Sequence, residues 1–108
     1  MKTVTLAPAI LLALAASAAH AADPVAGKAK AQGQCAVCHG IDGIAKNPEA
    51  PHLAGEQANY IVKQLKAFKT GARKHDQMSI IAEGLSDEDA ADIAAWYAKI
   101  KVTATMPE

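Results

Sequence analysis

Ile61, Leu65 and Phe68 recur at the i, i+4, i+7 spacing of one helical face, while Lys63, Lys66 and Lys69 fall off that stripe. The pattern predicts an amphipathic helix over residues 57–69, with Gly71 as its stop. Ile93, Trp96, Tyr97 and Ile100 form a second stripe, which predicts a last helix running to about Lys101. Its start is marked by Ser86 with Asp89 three residues on, a capping box in which Asp replaces the usual Glu. A third, shorter helix opens at Asp23-Pro24, where Asp can cap free backbone N–H groups and Pro suits the first helical position. The Ala- and Lys-rich run through Ala31 continues it, and Gly33 is expected to end it. Residues 40–55, punctuated by Gly40, Gly43, Asn47-Pro48, Pro51 and Gly55, read as loop. Ile41, Ile44 and Leu53 in that loop need something to cover. Residues 72–85 read as a looser stretch, and no period-2 strand stands out. The expectation is an all-α domain of three main helices and long loops.

Before Asp23 the pattern changes. Met1-Lys2 carries one positive charge, residues 4–16 are uncharged and rich in Leu, Ile and Ala, and Ala19-His20-Ala21 fits a small-x-small cleavage site. The apolar run is shorter than the ~20 residues that span a bilayer. Residues 1–21 are therefore expected to be a cleaved secretory signal peptide, with cleavage near Ala21 and residues 22–108 as the exported domain. No stable membrane insertion is expected after cleavage, and the location is expected to be the periplasm.

Composition sharpens the picture. Of the 55 hydrophobic residues in the 108-residue chain, 15 lie in positions 1–21. The other 40 include 18 Ala and 2 Cys, so only 20 large apolar side chains remain for a core. A domain this small buries a modest fraction of its surface, and one with so few large side chains needs something else at its centre. The 11 basic and 11 acidic residues cancel, which gives no support to nucleic-acid binding. The charges are nonetheless segregated. Lys63, Lys66, Lys69, Arg73 and Lys74 are followed by Asp76, Glu83, Asp87, Glu88, Asp89 and Asp92. A dipolar surface that steers a redox partner is one reading. A solvated helix face, with acids favoring the start of the last helix, is the better one.

The only two cysteines are Cys35 and Cys38, and His39 follows at once. Cys35-Ala36-Val37-Cys38-His39 is the C-x-x-C-H pattern of covalent c-type haem attachment. On one helical turn the two sulfurs lie on the same side, where each can bond a porphyrin vinyl group. His39 then sits where its imidazole can ligate the iron. A zinc site would need further ligands in a recognisable arrangement. A thioredoxin-like pair would need a βαβ setting. A structural disulfide suits an exported protein. One motif implies one haem c, with its iron, per chain.

The ordered set of these features resembles class I cytochrome c, in its small periplasmic bacterial single-haem form. The resemblance rests on Gly27, then Cys35-Ala36-Val37-Cys38-His39-Gly40, Asp42-Gly43 and Pro51-His52-Leu53-Ala54-Gly55. It continues through Tyr60, Gln64-Leu65, Phe68-Lys69, Gly71, Met78 and Leu85-Ser86-Asp87-Glu88-Asp89 to the aromatic last helix. It implies the small cytochrome c fold, three main helices and long loops packed around one covalent haem. It also implies that Met78 is the second axial ligand beside His39, an arrangement that raises the haem potential. By the same resemblance the Pro51 carbonyl accepts a hydrogen bond from His39 Nδ1–H and fixes the imidazole. Gly27 is similar to the family's helix-crossing glycine, with Trp96 the aromatic packed there. Met106, two residues from the end, is a poor rival ligand, whereas His52 and His75 stand as bis-His alternatives to Met78. His52, between Pro51 and Leu53, and Glu56, where related proteins often carry Gln, depart from the family pattern.

The function implied is a periplasmic one-electron carrier and not an enzyme. Its redox partners would be a quinol-oxidising complex and a terminal oxidase or reductase. The alternatives are the electron-accepting cytochrome subunit of a periplasmic dehydrogenase complex, or a haem enzyme or gas sensor with a labile sixth ligand.

Overall fold

In the computed structural model, which describes residues 1–3 and 20–108, the Asp23 carboxylate starts α1 (Pro24–Gln34) by accepting from Val25 N at 2.8 Å and Ala26 N at 3.3 Å. Most of the expected signal peptide, residues 4–19, lies outside the described residues. Gly33 does not end α1. It has no left-handed backbone, the helix runs on through Gln34, and Cys35 N still bonds Ala31 O at 2.8 Å. The helical turn α2 (Ala36–His39) then closes at Gly40, whose φ of 74° is the left-handed conformation that glycine tolerates.

α3 (Ala58–Thr70) matches its apolar stripe, burying Ile61 and Phe68, and ends at Gly71. Residues 72–85, expected to be looser, contain the eight-residue helix α4 (Asp76–Glu83). Its cap is His75, which lies outside the usual Ser, Thr, Asp and Asn set, so the sequence carried no ordinary start signal. α5 (Asp87–Lys99) begins with the expected box: Ser86 Oγ accepts from Asp89 N at 3.0 Å and Asp89 accepts from Ser86 N at 3.1 Å. No strand occurs among the described residues, and none of their helices is long and apolar enough to cross a membrane. The fold is all-α, with α1, α3 and α5 as its three main helices.

α5 is the central element. It packs against α1 on one side and α3 on the other, and α3 also packs on α4. Ala31, Ile61, Leu85, Ile93, Ala94 and Tyr97 form the buried cluster. The α1–α5 contact turns on Gly27, where an added Cβ would collide with the backbone carbonyl of Asp92 and come within 2.9 Å of Ile93 N. Trp96, expected opposite Gly27, lies one turn further along α5, with Lys28 Nζ 5.0 Å from its ring centroid. Asp92 Oδ1 accepts from Asp23 N at 2.7 Å, and Lys30 pairs with Asp89 at 3.1 Å, so the N-cap and the middle of α1 are both tied to the first two turns of α5.

Two outcomes follow from this contact. Gly27→Val places a branched side chain against backbone that cannot rotate away, and is expected to cost about 3 kcal/mol or more in denaturant titration of the haem-loaded protein. The Asp89 carboxyl is held below its ordinary 3.8, first by the Ser86 N–H and then by Lys30. A folded value below the unfolded one stabilises above the unfolded value and is lost as pH falls through the folded value. Asp89→Asn should therefore be less stable than wild type at neutral pH, with the gap closing in acid, as followed by circular dichroism.

Candidate functional site

Helix α2 with its N-cap Cys35 carries Cys35-Ala36-Val37-Cys38-His39 on the edge of a cavity of about 590 Å³, within the ~300–1,000 Å³ range of cofactor sites. Cys35, Cys38 and His39 line it together with Pro51 from the loop, Phe68 from α3 and Met78 from α4. Met106 does not; it is 85% exposed in the tail. The cavity therefore gathers the motif, Pro51, Met78 and the rival histidines His52 and His75 into one place.

The three cavity histidines differ in one bond each. His39, buried, has its Nδ1 2.9 Å from the Pro51 carbonyl oxygen. A carbonyl accepts only, so Nδ1 carries the proton and the Nε2 lone pair is free. His52 Nδ1 lies 2.8 Å from Ala45 N, and His75 Nδ1 lies 3.3 Å from Gln77 N and 3.2 Å from Met78 N. Those backbone N–H groups can only donate, so in His52 and His75 Nδ1 is the acceptor and Nε2 bears the hydrogen. A neutral imidazole in that form offers a metal no free lone pair while its bond is kept. His52, the unusual residue in the Pro-Leu loop motif, thus pins its own loop. Glu56, the other departure, accepts from Gln57 N at 3.0 Å.

The loop over the motif is strapped to it. Lys46 N and Asn47 N donate to Cys38 O at 2.8 and 3.1 Å, and Leu53 N and Ala54 N to Gly43 O at 2.8 and 3.1 Å. From the other side α5 reaches in with two aromatic donors. Tyr97 Oη donates to Gly40 O at 2.9 Å, and Trp96 Nε1 donates to Ile41 O at 2.9 Å. Tyr97 is fully buried, and burial pushes its hydroxyl well above the usual phenol range, so it stays a donor. These contacts were not legible in the sequence, where Tyr97 counts only as an apolar stripe residue 57 positions from its partner.

The other chemistries fit less well. Cys35 and Cys38 are not joined to each other, and burial pushes the Cys35 thiol up to about 11, away from the lowered range of redox-active thiols. Among the described residues the one cluster of three possible metal donors is His20, Glu88 and Asp92, which includes neither cysteine. A haem fits the donor set: two thiols for thioethers, an imidazole with a free Nε2, a thioether in reach of the same cavity, and apolar walls.

Comparison with known proteins points the same way. The family model described as cytochrome c matches residues 24–101. The cytochrome c4 of Thiocapsa roseopersicina is 47% identical over 83 residues, covering 77% of this chain and 43% of its own. The cytochrome c-554(548) of Halomonas halodenitrificans is 46% identical over 80 residues, covering 71% and 95%. A protein named thiosulfate dehydrogenase electron acceptor, from Stutzerimonas stutzeri, is 36% identical over 70 residues, covering 62% and 32%. The crystal structure of reduced recombinant cytochrome c4 from Pseudomonas stutzeri superposes with a TM-score of 0.68 at 38% identity, over 75% of this chain and 47% of that one. The chain spans about half the length of the curated cytochrome c4 relatives it matches.

The Tyr97 bond is directly testable. Tyr97→Phe keeps the ring and leaves the Gly40 carbonyl without its donor, with an expected loss of about 1–3 kcal/mol in denaturant titration.

Proposed function

We propose, from the fact that this chain belongs to the cytochrome c family, that it is a periplasmic one-electron carrier with His39 and Met78 as axial ligands of one haem c. Cys35 and Cys38 bind the haem covalently as thioethers. The haem iron supplies the one-electron couple, and the protein is an electron-transfer protein, not an enzyme. The observation that carries the ligand assignment is the His39 Nδ1–Pro51 carbonyl bond of 2.9 Å. It leaves the Nε2 lone pair free for a metal and restrains the ring plane, whereas the Nδ1 atoms of His52 and His75 are engaged as acceptors.

The chain's own residues do the rest. Met78 is half-buried and lines the cavity with a soft thioether, a donor that favours the reduced iron and raises the potential. The bonds from Tyr97 and Trp96 to the residues after His39 limit how far that residue can move when the charge changes. With His39 and Met78 both holding the iron, no coordination site would be left for a substrate. Export by a signal peptide cleaved near Ala21 is part of the same reading, because a periplasmic carrier has to be exported. The partners are redox proteins, with a quinol-oxidising complex and a terminal oxidase or reductase as donor and acceptor. The relative named thiosulfate dehydrogenase electron acceptor favours a second reading, an electron-accepting subunit of a periplasmic dehydrogenase. A stoichiometric complex on purification would select it.

Visible spectra of the ferric protein test the ligand set. Wild type is expected to show the weak long-wavelength sulfur-to-iron band, and Met78→Ala to lose it and shift to a lower potential in voltammetry. Carbon monoxide should bind the ferrous variant and not the ferrous wild type. A wild type without the band that binds carbon monoxide would overturn the carrier reading in favour of an enzyme or sensor.

A further inference from the structure

We propose that His75 is the positioning residue for Met78, acting as the N-terminal cap of α4 and as the link that ties this helix to α3. The inference rests on the assignment of Met78 as an axial ligand. Met78 occupies the third position of α4, where a backbone N–H has no partner within the helix. His75 Nδ1 accepts that N–H at 3.2 Å and the Gln77 N–H at 3.3 Å. The contact is reciprocal, because Ser79 Oγ accepts from His75 N at 3.1 Å and Ser79 N donates to His75 O at 2.9 Å. His75 is thereby bonded to the backbone on both sides of Met78.

The imidazole is itself located from α3. Its ring meets Phe68 edge-on, with centroids 6.5 Å apart and planes at 71°. Phe68 is buried, and the Arg73 guanidinium covers the same ring at 4.5 Å while donating to Gln64 Oε1 at 2.8 Å. The chain of contacts therefore runs from the last turn of α3 through Phe68 and His75 to the Met78 backbone. A methionine has three rotatable bonds and fills space adaptably, so its sulfur is only as well placed as the backbone that carries it. An eight-residue helix is too short to hold that backbone alone. Asn, which caps as well as any residue, should replace His75 in this role, and Ala should not.

The test compares His75→Asn and His75→Ala in the haem-loaded protein, reading displacement of Met78 from the ferric iron by added imidazole. His75→Ala should bind imidazole about fivefold more tightly than wild type, the factor expected for loss of a side-chain cap, and its sulfur-to-iron band should weaken. His75→Asn should match wild type in both. If Ala behaves as wild type, or if Asn is as impaired as Ala, the proposal is overturned. The second outcome would mean that the imidazole acts otherwise than as a cap. Should His75→Ala fail to acquire haem, Asn maturing with wild-type affinity still supports the proposal, and Asn failing likewise overturns it. Met78→Ala is the control. If that variant keeps the band, the axial assignment itself is wrong, a result that neither His75 variant can mimic.

Discussion

The approach of α5 to Gly27 is the contact on which the rest of the structure depends. No side chain separates the two helices there, so the Asp92 and Ile93 backbone rests directly on α1. That closeness sets the height of α5 over the Cys-x-x-Cys-His segment. One turn further along, Trp96 and Tyr97 reach the Ile41 and Gly40 carbonyls with their polar ends. A bulkier residue at position 27 would lift both donors from their acceptors, and the segment that begins at Cys35 would lose its outer restraint.

The second constraint is volume. Among the described residues Tyr97 is the one large side chain that is fully buried, and the remaining core cluster is Ala, Ile and Leu, from α1, α3, α5 and the turn before α5. Several of the twenty large apolar side chains outside the first 21 positions, among them Val25, Val37 and Ile80, lie exposed, and a cavity of about 590 Å³ remains beside the core. The haem serves as the missing core, and its covalent attachment makes that filling permanent. Function and stability therefore share one group.

Chemistry within the cavity is sorted by single hydrogen bonds. His39, His52 and His75 are the same side chain beside the same space. What separates them is whether Nδ1 meets a carbonyl or a backbone N–H. The first arrangement frees Nε2, and the second commits the imidazole to the backbone. Two histidines that composition offers as spare ligands thus become parts of the frame, one pinning the loop and the other capping α4.

Much of this protein was legible from its residues alone, because the signals are local. The stripe of α3, the capping box of α5, the Asp23-Pro24 start of α1 and the Cys35–His39 spacing each depend on neighbours within one or two helical turns. The shortage of large apolar side chains likewise announced that something besides side chains fills the centre. Other features needed the tertiary structure. Gly33 is the kind of residue that ends helices, yet it stays helical because the hydrogen bonding continues through Gln34 to Cys35 and the helix packs on α5. α4 was missed because its cap is a histidine, a weak start signal that works here through Phe68 and Ser79. The Tyr97–Gly40 bond and the tautomers of the three histidines were undecided for the same reason. A side chain's propensity is a property of short stretches, whereas the partner of a buried polar atom is chosen by which distant backbone the fold brings beside it.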